Sequence, residues 1–302
     1  MPDVPASSAG PVWDSITHDV LCPLCEYNLR GLSEARCPEC GYRFEWAVVT
    51  DPRKRLHPYL FEHHPERNVR SFFRTLWGTI RAGRFWSSLS PTQPLQPGRL
   101  AVYWVLSSAC VFLAVAGQWA RAIYRRLDSN YGWSSSAPPF SIADLLSAAK
   151  RAWEHDSSLT RVLYCAIFWL VWPWLTLLAL LIFRASMRRA KVRIEHIDRC
   201  LVYSFDIGAW LGLLAGSAAV LSIWFDWRIL KSSTEFDLAI GGAILLVVVV
   251  VRLWLAYRLY LRFDHAFWVI VASQLIVFLF VANMLLVWMH VRGPQQPGDI
   301  VF

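Results

Sequence analysis

Apolar positions are unevenly spread along this chain. Residues 1–99 are polar and basic, whereas 100–290 hold long apolar runs. Five runs are long enough to cross a bilayer core, which takes about 20 apolar residues in a helix. They cover about 100–120, 162–183, 201–225, 238–258 and 266–289. Lipid offers the backbone no hydrogen bonds, so each run is expected to be a helix. Pro173 removes one internal bond and is expected to kink the second. Trp104, Trp119, Trp224, Trp227, Trp268 and Trp288 lie near span ends, as aromatic belts do.

Before the first span, "ERNVRSFFRTLWGTIRAGRFW" has a helical period. Val69, Phe72, Phe73, Leu76 and Ile80 form one stripe, and Arg67, Arg70, Arg74 and Arg81 fall on a neighbouring face. That pattern predicts an amphipathic helix over about 67–88, lying at the membrane interface. "SIADLLSAAKRAW" predicts a second surface helix between the first two spans.

The expected fold is an all-α polytopic membrane protein of about five transmembrane helices with a small N-terminal zinc ribbon. Its parts are a disordered 1–20, a ribbon at 21–46 and a linker with the interfacial helix at 47–98. A five-helix domain at 99–290 and a short tail at 291–302 follow. The first twenty residues are rich in proline and serine without a basic start, so no signal peptide is expected.

Only 17% of residues are charged, below the roughly 25% usual in soluble domains. The net charge of +8 fits basic cytoplasmic loops and contact with anionic lipid. With the N-terminus inside, the cytoplasmic segments carry 20 lysines and arginines against 9 outside. This predicts a cytoplasmic N-terminus and an external C-terminus. "RASMRRAKVRIEHIDR" is the clearest inside marker.

Seven cysteines occur, and Cys22, Cys25, Cys37 and Cys40 form two Cys-x-x-Cys pairs. Zinc takes four thiolates in a tetrahedron, and each pair can place two on one side of the ion. Gly41, after the last cysteine, suits a knuckle turn that needs a positive φ. So short a module cannot bury a core. Structural zinc, worth about 10–16 kcal/mol of apparent binding energy in finger peptides, is expected to hold it. Four cysteines leave no open catalytic position. Cys110, Cys165 and Cys200 lie in apolar context without a pairing pattern.

"CPLCEYNLRGL" and "RCPECGYRF" resemble the short zinc ribbon found at the front of many multi-pass membrane proteins of planctomycete-type bacteria. The helix "FFRTLWGTI…RFW", the "RCLVYSFD" that opens the third span and the five-span layout are similar to the Yip family of membrane-trafficking proteins. The latter resemblance implies a non-enzymatic membrane protein that works by binding partners.

Gly208, Gly212 and Gly216 share one line of the third span, where small residues let helices approach closely. They are expected to pack against another span of the chain, with homo-oligomerisation the alternative. Asp206 and Arg252 are ionisable residues within spans, where a charge is costly. Their matching depth predicts a pair, sharing a polar cluster with Gln274. Ser217 has no histidine at membrane depth to act as its base. His57, His63 and His64, beside Glu62 and Glu66, lack fixed ligand spacing for a second metal. "EHID" lacks the second histidine of a metalloprotease helix, and no phosphate-cradling glycine loop is present.

The leading expectation is therefore a non-enzymatic membrane protein whose zinc ribbon docks a cytoplasmic protein partner on a five-helix anchor in the lipid bilayer. A transporter or channel using the Asp206/Arg252 cluster is the second reading. The third is nucleic-acid binding through the ribbon with Arg53, Lys54 and Arg55, whose affinity would fall steeply with salt.

Overall fold

The computed structural model describes residues 11, 13, 16, 19–51, 55–131, 141–155, 157–182, 193–224, 235–263 and 266–292. The expected disorder of the N-terminus falls largely outside these residues. So do Arg53, Lys54, all of residues 183–192 in the basic loop and the tail from 293.

Among the described residues every extended element is helical. The head holds a one-turn helix α1 (Trp46–Val49), α2 (Asn68–Ile80) and α3 (Ala82–Ser88). Then come α4 (Pro97–Tyr131), α5 (Ile142–His155) and α6 (Ser157–Ile182). The chain continues through α7 (Ile194–Phe205), α8 (Ile207–Trp224) and α9 (Glu235–Leu255), which runs into a π-helical turn (Ala256–Tyr260). The last helix is α10 (Ala266–Arg292).

Among the described residues, three helical stretches are long and apolar enough to cross a membrane: Pro97–Ser129, Val162–Leu180 and Ile194–Ile223. Their outward residues, among them Val105, Phe112, Trp174, Leu178 and Leu214, expose apolar side chains broadly. Large exposed apolar surfaces are rare on soluble monomers, and with the length of these helices they suggest membrane insertion.

Two spans differ in extent from the sequence expectation. The first was expected over 100–120, but α4 has 35 residues, about 52 Å at 1.5 Å per residue. It overshoots a hydrocarbon core of about 30 Å. The third was expected over 201–225, but the helix is formed from Ile194, with a single tightened turn at Asp206 between α7 and α8. The 18 residues of α8 include no charged side chain, whereas α7 carries Glu195, His196, Asp198 and Arg199. α8 is thus the apolar part, and α7 extends beyond it into the head.

The head is not a free module on a linker. Segment 47–98 folds onto the helices, and Leu60, Phe61, Leu76, Phe85 and Trp86 are buried in one core with Tyr103, Tyr203 and Tyr260. The expected interfacial helix is split at Arg81 into α2 and α3. Its predicted stripe also divides. Phe72 and Leu76 point inward with Ser71, Thr75 and Thr79, while Val69, Phe73, Trp77 and Ile80 stay exposed.

The glycine stripe seats helices within the chain. A Cβ on Gly216 would stand 2.6 Å from the Leu113 carbonyl oxygen, and one on Gly117 would stand 2.7 Å from that of Gly216. A Cβ on Gly212 would overlap the Cys110 carbonyl. α8 therefore lies backbone-to-backbone on α4, as small-residue faces permit. Gly208 belongs to a different contact, against the indole of Trp169 in α6. α5, the second surface helix, buries Ala148 and Ala152, exposes Ile142, Leu146 and Trp153, and accepts a hydrogen bond at Ala149 O from Trp119.

Candidate metal centre and the polar network behind it

The two cysteine pairs form two similar knuckles. In the first, Cys22 N–H donates to Tyr27 O and Glu26 N–H donates to Cys22 O. In the second, Cys37 N–H donates to Tyr42 O and Gly41 N–H donates to Cys37 O. An isolated bridge flanks each knuckle, Leu21 with Asn28 and Arg36 with Arg43. The residue after each second cysteine must turn into the left-handed region, with φ 62° at Glu26 and 72° at Gly41. Glycine does this freely, while a side chain there costs about 1–2 kcal/mol. The Glu26 carboxylate meets Arg193 at 2.8 Å.

The four sulfurs lie within 4.8 Å of one another and can hold a metal ion. Cys22 and Cys37 are buried, and Cys25 and Cys40 are partly covered. Packed this closely, the thiols cannot all ionise alone. The hydrogen bond with Cys40 draws Cys22 down to about 5, while burial pushes Cys25 up to about 11. A divalent cation at the centre would remove the conflict by binding all four as thiolates.

The ribbon is anchored to the helices through backbone carbonyls between its first two cysteines. His196 Nε2–H donates to Pro23 O at 2.9 Å, and Arg193 N–H donates to Leu24 O at 3.4 Å. The second knuckle is held by Tyr42, whose hydroxyl bonds Ser90 Oγ at 3.2 Å and whose ring lies beneath Arg262. Val20, Leu24, Leu29, Phe44 and Trp46 add an apolar underside continuous with the head core. The expectation of a coreless module is corrected on this point: the ribbon borrows its core from the body.

Behind His196 runs a polar chain. Tyr260 OH bonds His196 Nδ1 at 2.7 Å and accepts from Arg199 Nη1 at 3.1 Å. The tyrosine proton thus points to Nδ1, which leaves the imidazole as the Nε2–H tautomer. Arg199 grips Glu62 through Nε at 3.0 Å and Nη2 at 2.8 Å, and Nη2 also reaches Pro94 O at 2.8 Å. Glu62 further accepts from Tyr203 OH and Gln96 N–H. Both charged side chains are wholly buried.

A second buried pair adjoins the first. Arg252 Nη2 donates to Asp206 Oδ1 and Tyr203 O, and its Nη1 donates to Thr79 O at 3.0 Å. Tyr103 OH completes Asp206 at 2.7 Å. Tyr203 therefore ties the two ion pairs together, by its hydroxyl on one side and its carbonyl on the other. Gln274 is not in this cluster. It accepts from Trp172 Nε1 at 2.9 Å and donates to Thr176 Oγ1 at 3.0 Å, which pins α10 to α6.

The three linker histidines are structural rather than metal-facing. His63 Nδ1 accepts from His57 N–H, and its Nε2 bonds Pro94 O. His64 Nε2–H donates to His57 O, and Glu62 is already committed to Arg199. Sequence reasoning missed Arg199, His196, Tyr203 and Tyr260 because their partners lie 61 to 173 residues away. The i, i+3 spacing of His196 and Arg199, which puts both on one face of α7, was the available signal.

No family model, no curated protein and no solved structure matches this chain.

Proposed function

We propose that this is a non-enzymatic protein of a bacterial cytoplasmic membrane, with five spans formed by α4, α6, α8, α9 and α10. Its four-cysteine ribbon binds structural zinc and serves as a docking head for a cytoplasmic protein partner. Four thiolates suit zinc and fill its tetrahedral shell, so the metal has a holding role rather than a catalytic one. The basic loops put the ribbon inside and the C-terminus outside. The resemblance of the layout to the Yip family supports a role in membrane organisation.

One observation carries this reading. The knuckle carbonyls of Pro23 and Leu24 are bonded to the start of α7, while Tyr27, Asn28 and Arg30 on the same knuckle stay exposed. A metal-held loop fixed on one side and open on the other is a presented surface. The Asp206–Arg252 pair favours a packing pin over an ion path, because both side chains are at most 5% exposed and are closed in by Tyr103, Thr79 and Tyr203.

The test is a pull-down from membranes with the intact chain and two variants. Cys37→Ser/Cys40→Ser should lose zinc and the partner together. Tyr27→Ala/Arg30→Ala should keep zinc and lose the partner. A partner retained by both variants would overturn the docking role.

A further inference from the structure

α2 shows three separate faces around its axis. At 100° per residue, Ser71, Phe72, Thr75, Leu76 and Thr79 cluster on one side and are buried. Val69, Phe73, Trp77 and Ile80 cluster about a third of a turn away, and all four are exposed, Val69 by 73% and Trp77 by 64%. Arg67, Arg70, Arg74 and Arg81 lie about a quarter turn further on. The core face alone would account for the helix. The exposed apolar stripe and the arginine row beside it remain unexplained by packing.

The stripe does not end at α2. The Trp77 ring packs at 5.6 Å on Trp210 of α8, and Trp210 Nε1–H donates to Leu76 O at 3.0 Å. Leu211 and Leu214 continue the exposed apolar surface along α8. The stripe thus joins the exposed apolar surface of α8 near the start of that helix. On its far side, Arg67, Arg70 and Arg74 line a shallow cleft with Tyr59 and His64. Arg70 and Arg74 have no ion-pair or hydrogen-bond partner among the described residues, and Glu66 is bonded to His64.

We infer that α2 lies in the cytoplasmic headgroup layer, with Val69, Phe73, Trp77 and Ile80 inserted among acyl chains and Arg67, Arg70 and Arg74 holding the phosphate of an anionic phospholipid. Arginine binds phosphate in a forked, bidentate way, and a basic amphipathic helix gains from buried apolar area and anionic charge together. The inference rests on the membrane reading above and deepens it, by giving the interfacial helix a lipid class and a binding cleft.

The test uses the full chain in nanodiscs of phosphatidylcholine with one third phosphatidylglycerol, and native mass spectrometry to count retained lipids. The intact chain should retain phosphatidylglycerol several-fold over phosphatidylcholine. Arg70→Gln/Arg74→Gln should abolish that preference, while Arg125→Gln/Arg126→Gln, at the other end of α4, should keep it. Arg70→Lys/Arg74→Lys, with the charge intact and the fork lost, should retain an intermediate amount. Equal retention in the glutamine variant, or no preference in the intact chain, overturns the inference. Displacement of the lipid by millimolar inorganic phosphate overturns it in favour of a soluble ligand. Carbonate extraction of native membranes separates the two readings. A chain released by carbonate defeats the membrane reading itself, whereas an integral chain without lipid preference defeats only this inference.

Discussion

Arg199 closes a two-pronged ion pair on Glu62, and neither side chain reaches solvent. The pair joins α7 to the loop before α2, across 137 residues of sequence. Each remaining polar atom has a taker: Tyr260 OH and Pro94 O for the guanidinium, Tyr203 OH and Gln96 N–H for the carboxylate. Through Tyr260 and His196 the same network reaches Pro23 in the candidate metal knuckle. Through Tyr203 it reaches Arg252 and Asp206. Head, ribbon and spans are thus fixed to one another by one hydrogen-bond network that contains two buried ion pairs.

Breaking one side of a buried pair strands a charge, which costs about 3–5 kcal/mol, whereas an apolar replacement of both sides can be near neutral. Glu62→Gln is predicted to lower stability by about that amount, and Glu62→Leu/Arg199→Met to recover most of it. Thermal unfolding in detergent measures both. A Glu62→Gln variant as stable as the parent would contradict the pairing.

Asp206 and Arg252 are predicted to be coupled in the same way. In a double-mutant cycle, Asp206→Asn and Arg252→Gln should show an interaction of about 1–3 kcal/mol. Gln274→Ala combined with either should be additive, because Gln274 serves Trp172 and Thr176 instead.

His57 makes the head acid-sensitive. Its Nε2 bonds Ser88 Oγ, which itself donates to Phe85 O, so the buried Nδ1 is the unprotonated, unpartnered nitrogen. Burial, with His63, Arg199 and His64 nearby, pushes its pKa down to about 4. Below about pH 6.5 the unfolded chain takes up a proton that the folded chain refuses until about 4. Stability should therefore be flat above pH 6.5 and fall through that window, by about 1–3 kcal/mol in all. His57→Gln should remove only part of the loss, because burial also lowers His196, to about 4, and His63. A parent with no loss of stability between pH 7 and 4.5 would refute this.

The glycines separate by what a methyl would meet. Gly216→Ala and Gly212→Ala drive a Cβ into the backbone of α4 and should cost several kcal/mol or abolish assembly. Gly83→Ala on α3 meets nothing within 4 Å and should stabilise by about 0.5–1 kcal/mol. Loss of stability in Gly83→Ala, or a neutral Gly216→Ala, would contradict the packing described.

Much was readable in the sequence where a local rule sufficed. Cys22, Cys25, Cys37 and Cys40 announce themselves because knuckle geometry depends only on short spacing. Asp206 and Arg252 could be brought to one depth by counting residues along each span. Gln274 could not be excluded from their cluster, since depth says nothing about which way a helix is rotated. The stripe on α2 was too broad to show that Phe72 and Leu76 turn inward while Phe73 and Ile80 turn out. Threonines 75 and 79 took the core positions, where their hydroxyls bond the backbone. The docking of the ribbon left no periodic trace, because it offers two main-chain carbonyls, which every residue carries, and single side chains such as Glu26 and Tyr42 to residues far along the chain.

Metal bound by the four cysteines is expected to hold the ribbon onto the start of α7. Hydrogen exchange over residues 193–199 of the intact chain in detergent tests it directly. There Arg193 N–H is bonded to Leu24 O, and His196 N–H to Arg193 O. Exchange there should be slow with zinc bound at one ion per chain, and faster by at least about tenfold in Cys37→Ser/Cys40→Ser. Equal protection in the metal-free variant would contradict it.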